Sequence, residues 1–202
     1  MPEIVNPLWL LGLAGLLAYA LGSVPFGVVI ARVMGLGDLR QIGSGNIGAT
    51  NVMRTGNKAA GVLTFLLDAG KGAIAALLAW WLLGEDAAQV AALAAFLGHL
   101  YPVYLGFKGG KGVATFIGTI LALAFPVGFA ICAIWLLVFR LTRISSLSAL
   151  VASAASPLLA PALGYGSMLA LISILALMIF LKHADNIRRL VAGTEQRFDR
   201  SK

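Results

Sequence analysis

A segment around residue 45 combines glycine with short polar side chains in a sequence that is otherwise largely apolar. Glycines allow successive backbone N–H groups to point at one place, and hydroxyl and amide side chains add hydrogen-bond donors. The segment contains Gly43, Ser44, Gly45, Asn46, Gly48, Thr50 and Asn51. This set predicts a cradle for a phosphate-sized anion, with Arg54 supplying positive charge. The alternative is a flexible turn built from small residues.

Residues 43–48 also match the G-x-G-x-x-G pattern of dinucleotide-binding proteins. That pattern requires a preceding strand and a following strand–helix–strand unit. Neither fits this apolar sequence, so we do not expect a nucleotide site.

A second segment joins glycine with lysine. It consists of Lys108, Gly109, Gly110, Lys111 and Gly112. It lacks the P-loop spacing, because Gly112 and Val113 follow the second lysine where a P-loop has Ser or Thr. The glycines still let an anion approach the backbone while a lysine supplies charge. We therefore expect an anion-binding loop, and the alternative is an ordinary basic loop beside the membrane.

Other polar residues stand in or beside apolar segments. His183 and Asn186 are three positions apart where the last apolar run ends, and the histidine could donate to a phosphate or transfer a proton. Asp68 and Lys71 share a helical face, which predicts a structural ion pair that braces the site. His99 is expected to pack or form a hydrogen bond within its helix.

Composition predicts an all-α integral membrane protein. Of the 202 residues, 60% are hydrophobic and 11% are charged, whereas about 25% are charged in a soluble domain. The net charge of +7 comes from basic residues spread over membrane-flanking loops, so lipid headgroups explain it better than nucleic acid. The two histidines have no set of acidic ligands beside them, and Cys132 is the single cysteine. We therefore expect no metal, no disulfide and no cofactor.

The apolar sequence divides into five blocks, two of which can form hairpins, at Pro126 and Gly128 and again near Pro157. Because about 20 residues cross a bilayer, we predict a single membrane domain of seven transmembrane helices. They are placed at residues 8–31, 59–83, 87–105, 113–125, 127–139, 144–160 and 167–182. Ser23 and Pro25 predict a kink, with the serine satisfying freed backbone groups. The fourth and fifth helices could be short, tilted or partly re-entrant.

Charge predicts the topology, since cytoplasmic loops are enriched in Lys and Arg. With seven crossings, 14 of the 15 basic residues lie on one side: in loops 32–58, 107–112 and 140–146, at Lys182, and in the tail 183–202. The N-terminus is therefore expected outside and the C-terminus in the cytoplasm. Six crossings would place Arg140, Arg143 and the tail outside. Residues 18–20 mimic a signal-peptidase site, but no basic residue precedes the apolar run, which favours a first transmembrane helix.

Four segments in this order resemble the bacterial acyl-phosphate:glycerol-3-phosphate acyltransferase family. They are residues 22–27, residues 43–51 with Arg54, residues 107–115, and residues 183–190 with Gly193 and Glu195. Each segment is weak alone, but the ordered set is specific and covers nearly the whole chain. The H-x-x-x-x-D signature of other glycerolipid acyltransferases is absent, because Tyr104 follows His99 and Arg188 follows His183 at the required spacing.

The resemblance implies a seven-helix enzyme of the bacterial inner membrane, with its active site facing the cytoplasm. It implies transfer of a fatty acyl group from acyl phosphate to the 1-hydroxyl of glycerol 3-phosphate. The products are lysophosphatidic acid and phosphate, and the reaction is the first acylation of phospholipid synthesis. The expected partners are these two substrates and the lipid bilayer. A transporter of a phosphorylated small solute is the alternative, because it would use the same cradle.

The chemistry of the residues suggests roles that fit the pattern of this family. The loop 43–51 would hold the donor's phosphate and stabilise the charge that develops on it as the leaving group. Arg54, Lys111 and Ser146 would clamp the acceptor's phosphate and orient its hydroxyl. His183 and Asn186 would close the cytoplasmic side of the site.

No residue stands out as a nucleophile, because Cys132 lies in an outlying apolar segment and Ser44 has no evident base. Direct attack by the glycerol hydroxyl is therefore favoured over a covalent acyl-enzyme. The base is a phosphate oxygen of the donor or, as an alternative, His183. Glu195 is expected to fix the tail.

Overall fold

The computed structural model describes residues 2–198. Arg200 and Lys202 of the predicted basic tail lie outside the described residues. The regular elements within residues 2–198 are all helices, which confirms the all-α prediction. The chain divides into an N-terminal unit, Pro2–Leu123, and a C-terminal unit, Ala124–Lys202, and each is described by itself.

The N-terminal unit begins with two helices where one was predicted. Its helices are α1 (Leu8–Gly22), α2 (Phe26–Val33), α3 (Ala49–Met53), α4 (Lys58–Leu83), α5 (Glu85–Leu100) and α6 (Val113–Leu123). The interruption at Pro25 confirms the predicted kink. The buried hydroxyl of Ser23 makes no hydrogen bond within the described residues, so its predicted role is wrong. Lys71 of α4 instead donates to the carbonyl of Val24 at 2.8 Å.

Glycines allow the helices of this unit to approach closely. A β-carbon on Gly22 of α1 would overlap the backbone of Ala95 in α5, and one on Gly118 of α6 would overlap the backbone of Ala69 in α4. Small residues promote helix association in membranes because van der Waals packing takes over from the hydrophobic effect there. These contacts pack α5 against α1 and α4 against α6. Helix α4 carries Asp68 and Lys71, and helix α5 carries His99.

The C-terminal unit contains α7 (Phe125–Thr142), α8 (Ser145–Ala162), α9 (Leu169–Lys182) and α10 (Ala184–Val191) within its described residues. Helix α8 continues through Pro157 and Pro161, and the chain turns after it at Gly164. The helical segments on either side of His183 are bent by 62°. The bend allows the polar tail to leave the direction of the apolar helix α9.

Several predicted boundaries are wrong. The break predicted around Pro126 and Gly128 lies at Ala124, because proline is tolerated in the first turn of a helix. Most of the predicted loop 140–146 is helical, since α7 ends at Thr142 and α8 begins at Ser145. The predicted loop 32–58 contains α3, and the predicted tail contains α10.

The helices identify the chain as a multi-pass membrane protein. Five helical segments are long and apolar enough to cross a bilayer: Leu8–Val33, Lys58–Leu83, Glu85–Leu105, Phe125–Thr142 and Ser145–Ala162. Helices α9 and α10 provide a sixth if the bent pair is one span. Helix α6 has 11 residues and is only about 17 Å long, compared with a hydrocarbon core of about 30 Å.

Candidate active site

Asn51 of α3 organises the glycine-rich loop 43–51. Its buried side-chain oxygen accepts hydrogen bonds from the backbone N–H of Ser44 at 2.9 Å and from the hydroxyl of Ser44 at 3.3 Å. Its amide nitrogen donates to the carbonyl of Leu39 at 2.9 Å. The oxygen of Asn51 therefore bonds within the loop and its nitrogen bonds to the segment before it, and together they maintain the shape of the loop.

Gly43 meets Asn51 and Arg54 at the start of this loop. Its φ of +52° lies in the left-handed region that favours glycine. A β-carbon here would lie 2.6 Å from Oδ1 of Asn51 and 2.8 Å from Cδ of Arg54. The structure thus brings together Gly43, Ser44, Asn51 and Arg54, and only glycine fits between the two larger side chains.

The other predicted cradle residues lie in the same loop. Gly45 closes a turn by donating to the carbonyl of Ile42 at 2.9 Å. The side-chain amide of Asn46 lies close to Gly48, and Thr50 is half-buried in the first turn of α3. Ser44 is exposed, so its hydroxyl is accessible at the surface of the N-terminal unit.

The glycine–lysine loop, residues 108–112, lies against the end of α5. The N–H of Gly110 donates to the carbonyl of His99 at 3.1 Å, and the N–H of Gly109 donates to that of Leu100 at 3.2 Å. A β-carbon on Gly109 would overlap the carbonyl of His99, and one on Gly112 would contact the ring of Phe96. Close packing against α5 therefore requires these glycines, in addition to any role in anion approach.

The two predicted anion-binding loops are neighbours in the N-terminal unit. The guanidinium of Arg40 donates to the carbonyl of Lys108 at 2.6 Å. Lys108 is exposed and Lys111 is half-buried, so both lie near the surface of the loop. Arg40 lies three residues before the glycine-rich loop, so its bond ties the chain that enters this loop to the glycine–lysine loop.

Glu195 accepts three hydrogen bonds in the C-terminal unit. Its Oε1 accepts from Ser146 at 2.7 Å and from Asn186 at 2.5 Å, and its Oε2 accepts from Arg189 at 2.7 Å. Burial opposes ionisation, but the bonds from Ser146, Asn186 and Arg189 outweigh it and hold the pKa of Glu195 below its ordinary value. The predicted role of Glu195 in fixing the tail agrees with these contacts.

Ser146 has a single hydroxyl hydrogen, which it donates to Glu195 in this arrangement. Its predicted contact with a substrate phosphate therefore requires the hydroxyl to change partner. Asn186 likewise donates one of its amide hydrogens to Glu195.

His183 lies at the junction of α9 and α10 and is buried. Its Nδ1 is 2.8 Å from the carbonyl of Ile179. Because a carbonyl only accepts hydrogen bonds, Nδ1 carries a hydrogen, and Nε2 is the nitrogen that accepts a proton whenever the ring is neutral. This tautomer is suited to a general base.

A family model described as glycerol-3-phosphate acyltransferase matches residues 12–193. The chain belongs to the glycerol-3-phosphate acyltransferase family. The acyltransferase resembles relatives of that name along its whole length. The relative from Jannaschia sp. (strain CCS1) is 61% identical over 201 residues, which cover 100% of this chain and 99% of the relative. The relative from Cereibacter sphaeroides (strain ATCC 17029 / ATH 2.4.9) is 64% identical over 197 residues, which cover 98% of each chain.

Two solved structures also resemble the acyltransferase. Both are crystal structures of PlsY (YgiH), an integral membrane glycerol 3-phosphate acyltransferase. The glycerol 3-phosphate form is 42% identical with a TM-score of 0.89, covering 94% of this chain and 96% of that one. The lysophosphatidic acid form is 39% identical with a TM-score of 0.86, covering 94% and 95%. The predictions of the family and of an acyltransferase are confirmed.

Sequence reasoning misses two residues that position loops of the acyltransferase. In the sequence Arg40 is one basic residue among several, and its partner Lys108 is 68 positions away. His99 is expected only to pack or bond within its helix, but its ring and its carbonyl both face the glycine–lysine loop. The predicted ion pair between Asp68 and Lys71 is confirmed, at 2.8 Å.

Proposed function

We propose that this acyltransferase uses acyl phosphate as its donor and forms lysophosphatidic acid and inorganic phosphate. The observation that carries the proposal is the bond from Arg40, three residues before the glycine-rich loop, to the carbonyl of Lys108 in the glycine–lysine loop, which brings the two loops close together. A reaction between two phosphorylated substrates requires two groups of anion-binding residues close together. The lysophosphatidic acid form of PlsY supports this product. The resemblance in sequence to acyl-phosphate enzymes supports the donor.

The proposed reaction is a direct acyl transfer. The 1-hydroxyl oxygen of glycerol 3-phosphate forms a bond to the acyl carbon, and the bond between that carbon and the donor's phosphate oxygen breaks. The proton of the hydroxyl passes to a phosphate oxygen of the donor, which departs as inorganic phosphate. His183 is the alternative base, and its hydrogen-bonded Nδ1 supports that role because Nε2 then accepts a proton.

The glycine-rich loop is assigned to the donor's phosphate. Ser44, Asn46 and Thr50 supply side-chain donors, and the hydroxyl of Ser44 would exchange Oδ1 of Asn51 for a phosphate oxygen. Gly43, Gly45 and Gly48 let the backbone approach, and Asn51 maintains the loop's shape. Preorganised donors stabilise the negative charge that grows on the leaving phosphate, and such stabilisation usually contributes more to catalysis than any other single effect. The acyl chain would remain in the lipid.

The acceptor's phosphate is assigned to Arg54 and Lys111, with Lys108, Gly109, Gly110 and Gly112 forming the rest of their loop. A guanidinium can bind two phosphate oxygens at once, which fixes the orientation of the hydroxyl as well as the phosphate. Ser146, His183 and Asn186 of the C-terminal unit are assigned to the same reaction. Ser146 would exchange Glu195 for a phosphate oxygen.

The proposed topology has seven crossings in the bacterial inner membrane, with the N-terminus outside and the active site facing the cytoplasm. The concentration of Lys and Arg in alternate connections supports it. Helix α6 would be the short fourth crossing, and α9 the seventh. In a Cys132→Ser background, a membrane-impermeant maleimide added to intact cells should label Glu3→Cys and leave Arg197→Cys unlabelled. Labelling of Arg197→Cys in intact cells would contradict the topology.

The donor is tested with purified protein in lipid vesicles. Palmitoyl phosphate and glycerol 3-phosphate should give lysophosphatidic acid and phosphate in equal amounts, whereas palmitoyl-CoA in place of palmitoyl phosphate should give neither. A donor-only incubation should leave no acyl group on the protein, because no acyl-enzyme is proposed. Equal product from the CoA ester would refute the donor, and a trapped acyl-enzyme would refute direct attack.

A further inference from the structure

His99 lies between a buried carboxylate and the glycine–lysine loop. Its Nδ1 is 3.5 Å from Oδ1 of Asp68, and its side chain is 5% exposed. On the opposite edge of the ring, a β-carbon on Gly110 would overlap Nε2. The two nitrogens of one imidazole therefore face two different parts of the N-terminal unit.

The carboxylate of Asp68 is itself held in place. Lys71 lies 2.8 Å from the same oxygen, Oδ1, and also donates to the carbonyl of Val24 at 2.8 Å. The ammonium lies over the ring of Phe26, 5.7 Å from its centroid. A buried charge is costly unless it is paired, so Lys71 and Asp68 restrain one another.

The backbone of His99 contacts the same loop as its ring. Its carbonyl accepts from the N–H of Gly110 at 3.1 Å, and it lies so close to Gly109 that a β-carbon there would overlap it. A ring that turned away from Asp68 would open space beside Gly110. The orientation of the imidazole thus sets the position of the backbone between Lys108 and Lys111.

We propose that His99 is a positioning residue for acyl transfer. Asp68 orients the imidazole, and the imidazole supports Gly110 so that Lys111 lies at the correct distance from the acceptor's phosphate. This inference rests on the proposed role of the glycine–lysine loop in binding glycerol 3-phosphate. A carboxylate that orients an imidazole is an established way of fixing which ring nitrogen faces its partner. His99 itself touches neither substrate.

The first test uses two substitutions that keep different halves of the imidazole. His99→Asn retains a polar group near Nδ1, facing Asp68, and His99→Gln retains one near Nε2, facing Gly110. We expect the KM for glycerol 3-phosphate to rise about tenfold in His99→Asn, since small displacements of binding groups have effects of this size or larger. His99→Gln keeps the contact with Gly110 and loses only the orienting contact with Asp68, so its KM should rise less, by no more than about threefold. The KM for acyl phosphate and the thermal midpoint should be similar in both variants.

A purely structural role would instead lower the thermal midpoint and kcat of both variants together. That result, or an unchanged KM in His99→Asn, would overturn the inference.

The second test is a double-mutant cycle between His99 and Gly110. Gly110→Ala places a methyl group against Nε2 and should also raise the KM for glycerol 3-phosphate about tenfold. Combined with His99→Asn, the loss in kcat/KM should be smaller than the product of the two single losses, because both act on one contact. Independent, multiplying losses would overturn the inference. If neither His99 variant folds, an unchanged KM for glycerol 3-phosphate in Gly110→Ala would by itself overturn the inference.

Lys111→Ala separates this inference from the proposed function of the loop. A raised KM for glycerol 3-phosphate in Lys111→Ala with a normal KM in His99→Asn would refute only the role of His99. An unchanged KM in Lys111→Ala would refute the loop as the acceptor's site and, with it, the inference about His99.

Discussion

Ser146 in α8 and Asn186 in α10 donate hydrogen bonds to one and the same atom, Oε1 of Glu195. The two donors are 40 positions apart in the sequence, and Glu195 follows both of them. A single carboxylate therefore fixes the relative positions of two helices and the chain that follows α10. Arg189 adds a bond to the other carboxylate oxygen.

Replacement of Glu195 by Ala should lower the stability of the protein. Three donors lose an ionised acceptor, and hydrogen bonds to charged groups contribute about 1.5–3 kcal/mol each, with partial compensation by water. We expect a net loss of about 2 kcal/mol in the free energy of unfolding, measured as a lower thermal midpoint in detergent at pH 7. Asp185→Ala is the matched control, because it removes an exposed carboxylate that pairs with Arg188.

Acidification should remove the stabilisation of the folded protein that the Glu195 carboxylate provides. Because the pKa of Glu195 is held below its ordinary value of 4.5, its stabilisation is complete above that value and is lost as the pH falls through the lowered pKa. The difference in thermal midpoint between wild type and Glu195→Gln should therefore be constant from pH 7 to pH 5 and shrink below pH 4.5. A difference that grows on acidification would contradict this account of the carboxylate.

Two glycines between α2 and α3, Gly37 and Gly43, allow the effect of backbone strain to be separated from the effect of crowding. Gly43 and Gly37 both have positive φ, +52° and +80°, but only Gly43 has neighbours within reach of a β-carbon. Gly37→Ala should cost about 1 kcal/mol of stability and leave kcat/KM nearly unchanged. Gly43→Ala should in addition displace Asn51 or Arg54 and lower kcat/KM about 100-fold. Equal kinetic effects in the two variants would show that the contact with Asn51 is unimportant.

Much of this fold could be predicted from the sequence, because lipid-exposed helices leave a strong local signal. Every apolar block forms helix, and Pro25 interrupts the first block as expected. Helix α3 and helix α10 could not be predicted, because α3 has only five residues and α10 is polar, with Arg188 and Arg189 in its last turn. Their helical conformation depends on packing and capping, which hydropathy does not report.

The segments of the site could also be predicted, but their contacts could not. Glycine, serine and asparagine around residue 45 and the lysines around residue 110 are local patterns that chemistry alone identifies. The bonds from Arg40 to Lys108 and from Ser146 to Glu195 join residues 68 and 49 positions apart. Such pairs depend on how helices pack, so a single sequence gives no direct sign of them.

Arg40 should affect substrate binding without affecting stability. Its bond to the carbonyl of Lys108 is exposed, so we expect Arg40→Ala to weaken the binding of glycerol 3-phosphate by about 1 kcal/mol. This loss corresponds to about a fivefold rise in the KM for that substrate. Arg32→Ala removes the same charge elsewhere on the N-terminal unit and should leave KM nearly unchanged. If both variants raise KM equally, the effect is one of overall charge and the contact between the loops is unimportant.

Asp86 should matter for stability alone. Its carboxylate accepts from the backbone N–H groups of Val5 and Asn6, at 3.0 and 2.9 Å, and from the side chain of Asn6 at 2.7 Å. Asp86→Ala should release the segment that precedes α1 and lower the thermal midpoint, with little change in kcat or KM. Glu85→Ala is the neighbouring control and should have a smaller effect. A large loss of kcat in Asp86→Ala at a temperature where the variant is folded would contradict this separation.

Ser44 and Lys111 should differ in the kinetic constant that they control. Ser44→Ala removes a donor assigned to the leaving phosphate, so kcat should fall about 100-fold, as for other preorganised donors of this kind. Lys111→Ala removes a charge assigned to the acceptor's phosphate, so its main effect should be a higher KM for glycerol 3-phosphate. Cys132→Ala, in the apolar helix α7, should leave both constants nearly unchanged and serves as the control. Equal losses in all three variants would refute the assignment, because a general loss of folded protein would then explain the kinetics better than separate roles at two phosphates.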